Sequence, residues 1–206
     1  MVNKVFFWLV FPLSSLRLIP HALIMKFGSE RAVLAADVAR WAKIYMETPS
    51  AEKNLYAFLF LMTYYEEFRN LFYYRAGMLG RLFRPLCRPM STLFIQAGKI
   101  GPGLFIQHGF ATIISAETIG SNCWINQQVT IGWADQSGRP VIKDDVTINA
   151  GAKVIGNIVI GANSKVGANA VVVKNVPPDC TVVGVPAYIV RKNGVKLREP
   201  LCREKA

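Results

Sequence analysis

Histidine is almost missing from this chain of 206 residues: His21 and His108 are the two it has. Cys87, Cys123, Cys180 and Cys202 are its four cysteines, and none stands in a C-x-x-C pair. With such spacing and so few imidazoles no zinc pattern can be assembled, and the cysteines read as free thiols of a reducing compartment. Acidic residues are scarce too, 13 against 24 Lys and Arg, for a formal charge of +11. That balance suits an anionic partner: nucleic acid, a membrane surface or a phosphorylated cofactor. Long apolar runs are also lacking. Val5 to Phe11 is unbroken behind Lys4, but Pro12, Ser14, Ser15, Arg17 and Pro20 interrupt the weaker apolar stretch after it. The segment is too broken to span a bilayer and shows no small-residue cleavage site. A buried packing helix and an interfacial helix both fit it, so a cytoplasmic protein is expected, with membrane contact through residues 1–25 left open.

What the chain does have is apolar content, 52%, enough for a real core. It also has a period. Ile142, Ile148, Val154, Ile160, Val166 and Val172 recur at six-residue spacing, with Gly, Ala, Asn, Ser and Asp between them. Six is the period of a parallel β-helix coil, in which one apolar position per side fills a narrow triangular prism. The ladder runs earlier through Ile100 and Ile106, slips by one residue, and resumes at Ile119, Ile125 and Ile131. In each repeat the first residue points inward and the fourth or fifth turns the corner, where glycine and asparagine supply positive φ. From Ile131 to Ile142 the spacing is eleven, so residues 132–140 (GWADQSGRP) form a loop ejected from the prism, as a site or a subunit contact requires.

Residues 1–90 read as an α-helical domain, residues 91–190 as the β-helix, and residues 191–206 as a basic C-terminal tail. Ser29 is the expected N-cap of a helix carrying Leu34, Val38, Trp41 and Tyr45 on one face. Ser50 is the expected cap of a second, carrying Leu55, Leu59, Met62, Tyr65 and Phe68. Pro85 and Pro89 end the helical part. Arg69, Arg75, Arg81, Arg84 and Arg88 form an acid-free basic stretch among aromatics, which reads equally as a solvated helix face and as an anion site. Nucleic-acid binding has only this charge in its favour and is not expected.

Residues 65–192 resemble the serine acetyltransferase branch of the hexapeptide-repeat acyltransferases. LFIQHGFATIISAETIGSNCWINQQVTIG is similar to that family's first coils, INAGAKVIGNIVIGANSKVGANAVV to its later coils, NVPPDCTVVGVPAYIV to its closing strand, and FRNLFYYR to the helix before the prism. The resemblance implies an α+β protein, an N-terminal α-helical segment followed by a left-handed parallel β-helix, assembled as a homotrimer with active sites between adjacent prisms. It implies acetyl-CoA as acetyl donor and no metal. L-serine, in cysteine biosynthesis, is the implied acceptor. Three departures bear on that acceptor. The family's histidine-partnering aspartate falls at Leu93, its second histidine at Arg139, and its aspartate-proline pair has no clear counterpart. The terminal isoleucine that docks cysteine synthase is replaced by Ala206, so no such complex is expected. The leader LRLIPHALI with its arginine-proline motif looks instead like members that acetylate sugars of surface polysaccharides, which makes a sugar hydroxyl the alternative acceptor. A non-catalytic assembly protein built on the same prism is the alternative of another class.

Acetyl transfer from a thioester to an alcohol needs a base, and histidine is the side chain whose ordinary pKa, about 6.5, lies nearest neutrality. His108 occupies the family's catalytic place, two residues past inward Ile106; a coil histidine bonded to a backbone carbonyl is the bland reading. His21 reads as structural. With Leu93 unable to orient His108, Glu117 is the remaining candidate, although it could equally satisfy corner amides. Asp135 and Arg139 on the loop are candidates for acceptor binding, or solvated loop-tip residues. By resemblance Ala150, Gly151 and Ala168 line the pantetheine slot, Lys165 and Arg191 meet the CoA phosphates, and Gly132 admits the acetyl end. Small residues are also what any coil corner needs.

Overall fold

The computed structural model describes residues 15–46 and 54–201. They fall into two compact units, residues 1–90 and residues 91–206. In the first, α1 (Ile19–Phe27), α2 (Arg31–Tyr45), α3 (Asn54–Tyr64) and α4 (Glu66–Leu82) lead into a short 3-10 turn, Arg84–Leu86. Leu34, Val38 and Trp41 are buried as their spacing predicts, with the Trp41 and Phe68 rings edge to face at 5.2 Å. Two boundaries differ from the sequence reading. Glu30, not Ser29, precedes α2 and caps it without a side-chain bond, because Ser29 lies in a turn closed by the Arg31 amide on the Gly28 carbonyl, 3.3 Å. The stripe from Leu55 to Phe68 belongs to two helices, broken at Tyr65 by an extended backbone (φ −120°, ψ 103°). Arg69 makes that break possible. Its Nε donates to the Met62 carbonyl at 2.7 Å and its Nη2 to that of Thr63, satisfying acceptors that the end of α3 leaves open. Glu66 and Glu67 then open α4, where the helix dipole favours negative charge. Ser50 lies outside the described residues.

Arg75, expected on a solvated or anion-binding face, is instead buried with Asp37, Nε to Oδ2 3.0 Å. His21 is fully buried, its Nε2 2.9 Å from the Tyr73 hydroxyl, which itself donates to the Cys87 carbonyl at 2.7 Å. Desolvation drives the His21 pKa down to about 4.

The second unit is a three-sided parallel β-helix. β1 (Leu93–Ile95), β4 (Thr112–Ile114), β7 (Thr130–Gly132), β10 (Lys153–Ile155) and β13 (Val171–Val172) make one face. A second face holds β2 (Lys99–Ile100), β5 (Thr118–Ile119), β8 (Val141–Ile142) and β11 (Val159–Ile160). The third holds β3 (Phe105–Ile106), β6 (Trp124–Ile125), β9 (Thr147–Ile148), β12 (Lys165–Val166) and β14 (Cys180–Val183). Up to β10 each strand therefore pairs with the third one along, one coil later, and β12 then pairs with β14. Every rung of the sequence ladder, from Ile100 to Val172, is buried. Four residues past the rungs a second inward ladder appears, with Leu104, Cys123, Val129, Val146, Ala152, Ser164, Ala170 and Val176 all buried. Between the two ladders the chain turns through left-handed backbone at Gly103, Asn122, Gln128, Asp145, Gly151, Asn163 and Asn169. Glycine and asparagine adopt that conformation at the least cost. Each rung side chain taken from water adds about 1.5–3 kcal/mol, which is why so short a repeat holds its register.

Residues 191–200 are not a tail. β15 (Tyr188–Lys192) returns antiparallel to β14, and β16 (Val195–Pro200) returns antiparallel to β15 through a turn at Gly194 (φ 80°). Val195 and Leu197 alternate along β16 but neither is buried, so backbone pairing rather than a hydrophobic ladder fixes it. Cys87, Cys123 and Cys180 are free and buried, and burial pushes the Cys87 and Cys180 thiols up, leaving them protonated and inert.

Candidate active site

The slip in the ladder is the corner that carries His108. Ile106 pairs with Ile125, 19 residues on, whereas Ile148 pairs with Val166, 18 on. Six residues separate Ile125 from Ile131 across the equivalent later corner, but eight separate Ile106 from Ile114. The surplus is looped out as His108 (φ 62°), Gly109 (φ 42°) and Ala111 (φ 49°), all in the left-handed region. A histidine with positive φ is uncommon, and here it directs an exposed imidazole away from the prism. No side-chain hydrogen bond holds that ring within the described residues.

Below His108 the same edge repeats at every coil. The Gln107 amide bonds the Ile125 carbonyl at 2.8 Å, that of Asn126 the Ile148 carbonyl at 3.0 Å, that of Asn149 the Val166 carbonyl at 2.9 Å, and that of Gly167 the Val182 carbonyl at 2.8 Å. The column so formed runs from His108 through Asn126 and Gln127 to Ala150, Gly151 and Ala168. Gly151 is doubly constrained, by its φ of 74° and by Asn169, whose side chain occupies the place a Cβ would take. On the adjoining face, Lys165 and Arg191 line one cleft of about 710 Å³ with Lys196. The structure thus gathers two of the sequence candidates and adds a third cation. Lys196 escapes a sequence reading because it sits on β16, in a segment whose composition is that of a tail. Asn126 escapes it as an ordinary corner residue; it accepts a bond from the Trp124 indole at 2.8 Å.

The remaining candidates lie on the other edge of the first face. Glu117 does not reach His108. Its Oε2 accepts from Arg139, at 2.8 Å from Nη2 and 3.2 Å from Nε, and Arg139 Nη1 donates to the Gln96 carbonyl at 3.0 Å. The Arg139 guanidinium also lies 5.6 Å from the centre of the exposed Trp133 ring. Arg139 therefore ties the ejected loop to two earlier coils. The expected Glu117 to His108 bond is not formed within the chain, because the two side chains occupy successive corners separated by β4. Asp135 is exposed and accepts from the Ser137 amide at 2.7 Å; that residue's hydrogen bonds hold its carboxyl below the usual range. Gly132 is buried at the root of the loop, where a Cβ would meet only Ser115 Cβ, at 4.0 Å. Packing within the chain does not demand glycine there. Leu93 is buried in β1 and offers His108 no polar partner.

The family model for the bacterial transferase hexapeptide (six repeats) matches residues 139–174. The serine acetyltransferase of Synechococcus elongatus is 41% identical over 136 residues, 64% of this chain and 55% of that protein. Among solved structures, the Neisseria gonorrhoeae serine acetyltransferase in complex with serine matches with a TM-score of 0.57 at 30% identity, over 81% of this chain and 71% of that one. Soybean serine acetyltransferase apoenzyme matches with a TM-score of 0.57 at 31% identity, over 80% and 70%. The chain belongs to the serine acetyltransferase-like hexapeptide-repeat family. It spans little more than half the length of the Synechococcus relative, so membership carries the fold and the repeat, and the reaction has to come from the site. The edge bearing His108 carries small residues, and the cleft beside it is lined by three cations, Lys165, Arg191 and Lys196, and one carboxylate, Asp179.

Proposed function

We propose that the protein is an acetyl-CoA-dependent O-acetyltransferase and that its acceptor is the hydroxyl of L-serine. The observation that carries this reading is the exposed His108, raised on its irregular corner above the small-residue column of Ala150, Gly151 and Ala168. His108 takes the acceptor's hydroxyl proton as the oxygen attacks the thioester carbonyl. The new C–O bond forms, the C–S bond breaks, and the same proton passes to the departing thiolate to give the acetyl ester and free CoA. Pantetheine lies along the column, where coil amides meet it as they would an added strand. Lys165, Arg191 and Lys196 receive the phosphates. His108 and the Arg139 loop stand on opposite edges of one face, so a site using both needs a second prism; this supports the homotrimer. The serine acceptor is supported by the relatives and by the Neisseria complex with serine. A sugar hydroxyl is the second reading, favoured by one observation: Arg139, the loop's cation for a carboxylate, is already held by Glu117. A reaction drawing on acetyl-CoA, and free thiols, support a cytoplasmic setting and a place in cysteine biosynthesis.

Thiol release from acetyl-CoA by the purified protein, with serine and a panel of hexoses as acceptors, tests the proposal. Serine-dependent release that His108→Ala lowers by about 10²- to 10⁴-fold is expected. Unchanged turnover in that variant refutes the base. Release with hexoses alone refutes the serine acceptor while leaving the transferase standing.

A further inference from the structure

The helical unit has an apolar surface that its own core does not use. Leu16, Ile19, Leu23 and Phe27 succeed one another at helical spacing and are all exposed, Phe27 by 67%, while Leu18, His21 and Ile24 on the other side of the same segment are buried. The end of α4 adds Met78, 86% exposed, with Leu79 and Leu82. The two stripes are continuous. A groove of about 360 Å³, almost wholly apolar, is lined by Pro20, Leu23 and Phe27 from α1 and by Leu79 and Phe83 from the other. The two segments that form it carry the exposed cations Arg17, Lys26, Arg81, Arg84 and Arg88, and residues 15–29 and 76–90 contain no Asp or Glu. No helix among the described residues is long and apolar enough to cross a membrane.

We propose that this face docks on the surface of an anionic lipid bilayer, with Leu23, Phe27, Met78 and Leu82 seated at the headgroup level and the basic rim against lipid phosphates. An apolar stripe bordered by Lys and Arg is the arrangement that lies in a membrane interface, where burial and attraction to anionic headgroups add. A bilayer, unlike a second copy of this chain, complements the rim: a two-fold contact would bring two sets of five cations face to face, with exposed Glu30 of each copy the one acid bordering these segments in sequence. The chain that enters α1 is itself apolar in sequence, Val5 to Phe11 behind Lys4, which continues the same character upstream.

Flotation of the full-length protein with vesicles is the test, alongside light-scattering mass and a thermal transition to confirm folding. Vesicles of phosphatidylcholine with about 30 mol% phosphatidylglycerol should carry the protein upward, and pure phosphatidylcholine vesicles should carry at least about tenfold less. Raising KCl from about 0.05 to 0.5 M should lower the bound fraction several-fold, as the Debye length contracts. Leu23→Glu with Phe27→Glu should abolish flotation, and Arg81→Glu with Arg84→Glu should weaken partitioning by about tenfold, both with unchanged mass and melting. Absence of flotation on the anionic vesicles overturns the proposal. So does equal binding to neutral vesicles. So does a drop in oligomer mass in the Leu23→Glu, Phe27→Glu variant without vesicle binding by the parent, which assigns the face to a second copy, and so does unchanged mass without binding, which assigns it to the chain's own residues 1–14.

Discussion

Cutting the Arg139 tether should cost the acceptor more than the donor. Arg139 reaches from the ejected loop to Glu117 and to the Gln96 carbonyl, and it holds nothing of the column along which pantetheine is proposed to lie. The ion pair is short but half in water, with Arg139 20% and Glu117 58% exposed, so screening limits it to about 0.2–1 kcal/mol. A charged donor on a backbone carbonyl adds about 1.5 kcal/mol. Together they hold the loop down by about 1.7–2.5 kcal/mol, a factor of roughly 20–70 in the population of the docked loop. Arg139→Ala should therefore lower kcat/KM for the acceptor by about that factor, and Glu117→Ala by roughly 2- to 5-fold, since Gln96 still holds the arginine.

Steady-state thiol release with acceptor and acetyl-CoA varied in turn reads this out. KM for acetyl-CoA should stay within about twofold in both variants, and a double-mutant cycle should return a coupling of about 0.5–1 kcal/mol. A pH profile separates the tether from a base-orienting role. If Glu117 acts only through the loop, Glu117→Ala keeps the parent's pH dependence. Zero coupling between Arg139 and Glu117 refutes the reasoning, as does a Glu117→Ala variant that loses kcat as severely as His108→Ala with a displaced pH profile.

The donor column and the buried histidine can each be tested by one substitution. Ala168→Trp fills the column on an exposed corner and should raise KM for acetyl-CoA by at least about tenfold with an unchanged melting temperature; unaltered KM removes the column from the donor site. His21 is buried as the neutral ring with its pKa lowered to about 4, whereas the unfolded chain titrates near 6.5. The unfolded state therefore binds the proton first. Stability contributed by the neutral ring is intact above pH 6.5 and falls as the pH drops from 6.5 toward 4, by up to about 2–3 kcal/mol. Urea melts at pH 7 and pH 4.5 should show the parent losing more than His21→Gln over that interval; equal losses refute the assignment.

The prism is legible in the sequence because one rule repeats at every rung, and a single misread position would not disturb the other ten. Nothing comparable repeats in the helical unit. The stripe from Leu55 to Phe68 continues smoothly through Tyr65, so the break there is invisible without Arg69, whose role depends on carbonyls six and seven residues away. Asp37 and Arg75 lie 38 residues apart, and Glu117 and Arg139 lie 22 apart. Such pairs are set by how elements stack, and charge counting assigns their members to solvent. The β16 hairpin resembles a tail for the same reason: its bonds are backbone bonds, which any residue except proline can donate.

Where the period fails is where the proposed base and the proposed acceptor residues stand. A coil of 18 residues puts two side chains per face inward and uses a third position for the turn, which leaves corners too regular and too small to present a reactive group. The coil from Ile106 to Ile125 is one residue longer, and the surplus raises His108; the coil from Ile125 to Ile148 runs to 23, and the surplus becomes the loop carrying Trp133, Asp135 and Arg139. The two irregularities are consecutive coils, and they open on the two edges of a single face. A flat regular wall lies between them, and in the proposed homotrimer a second prism rests against it, so that the imidazole edge of one copy meets the loop edge of the next. Restoring the period tests this directly. Deleting Ala111 shortens the His108 coil to the regular length; it should leave the thermal transition intact, because inward Ile106 and Ile114 keep their places, and should abolish thiol release as fully as His108→Ala.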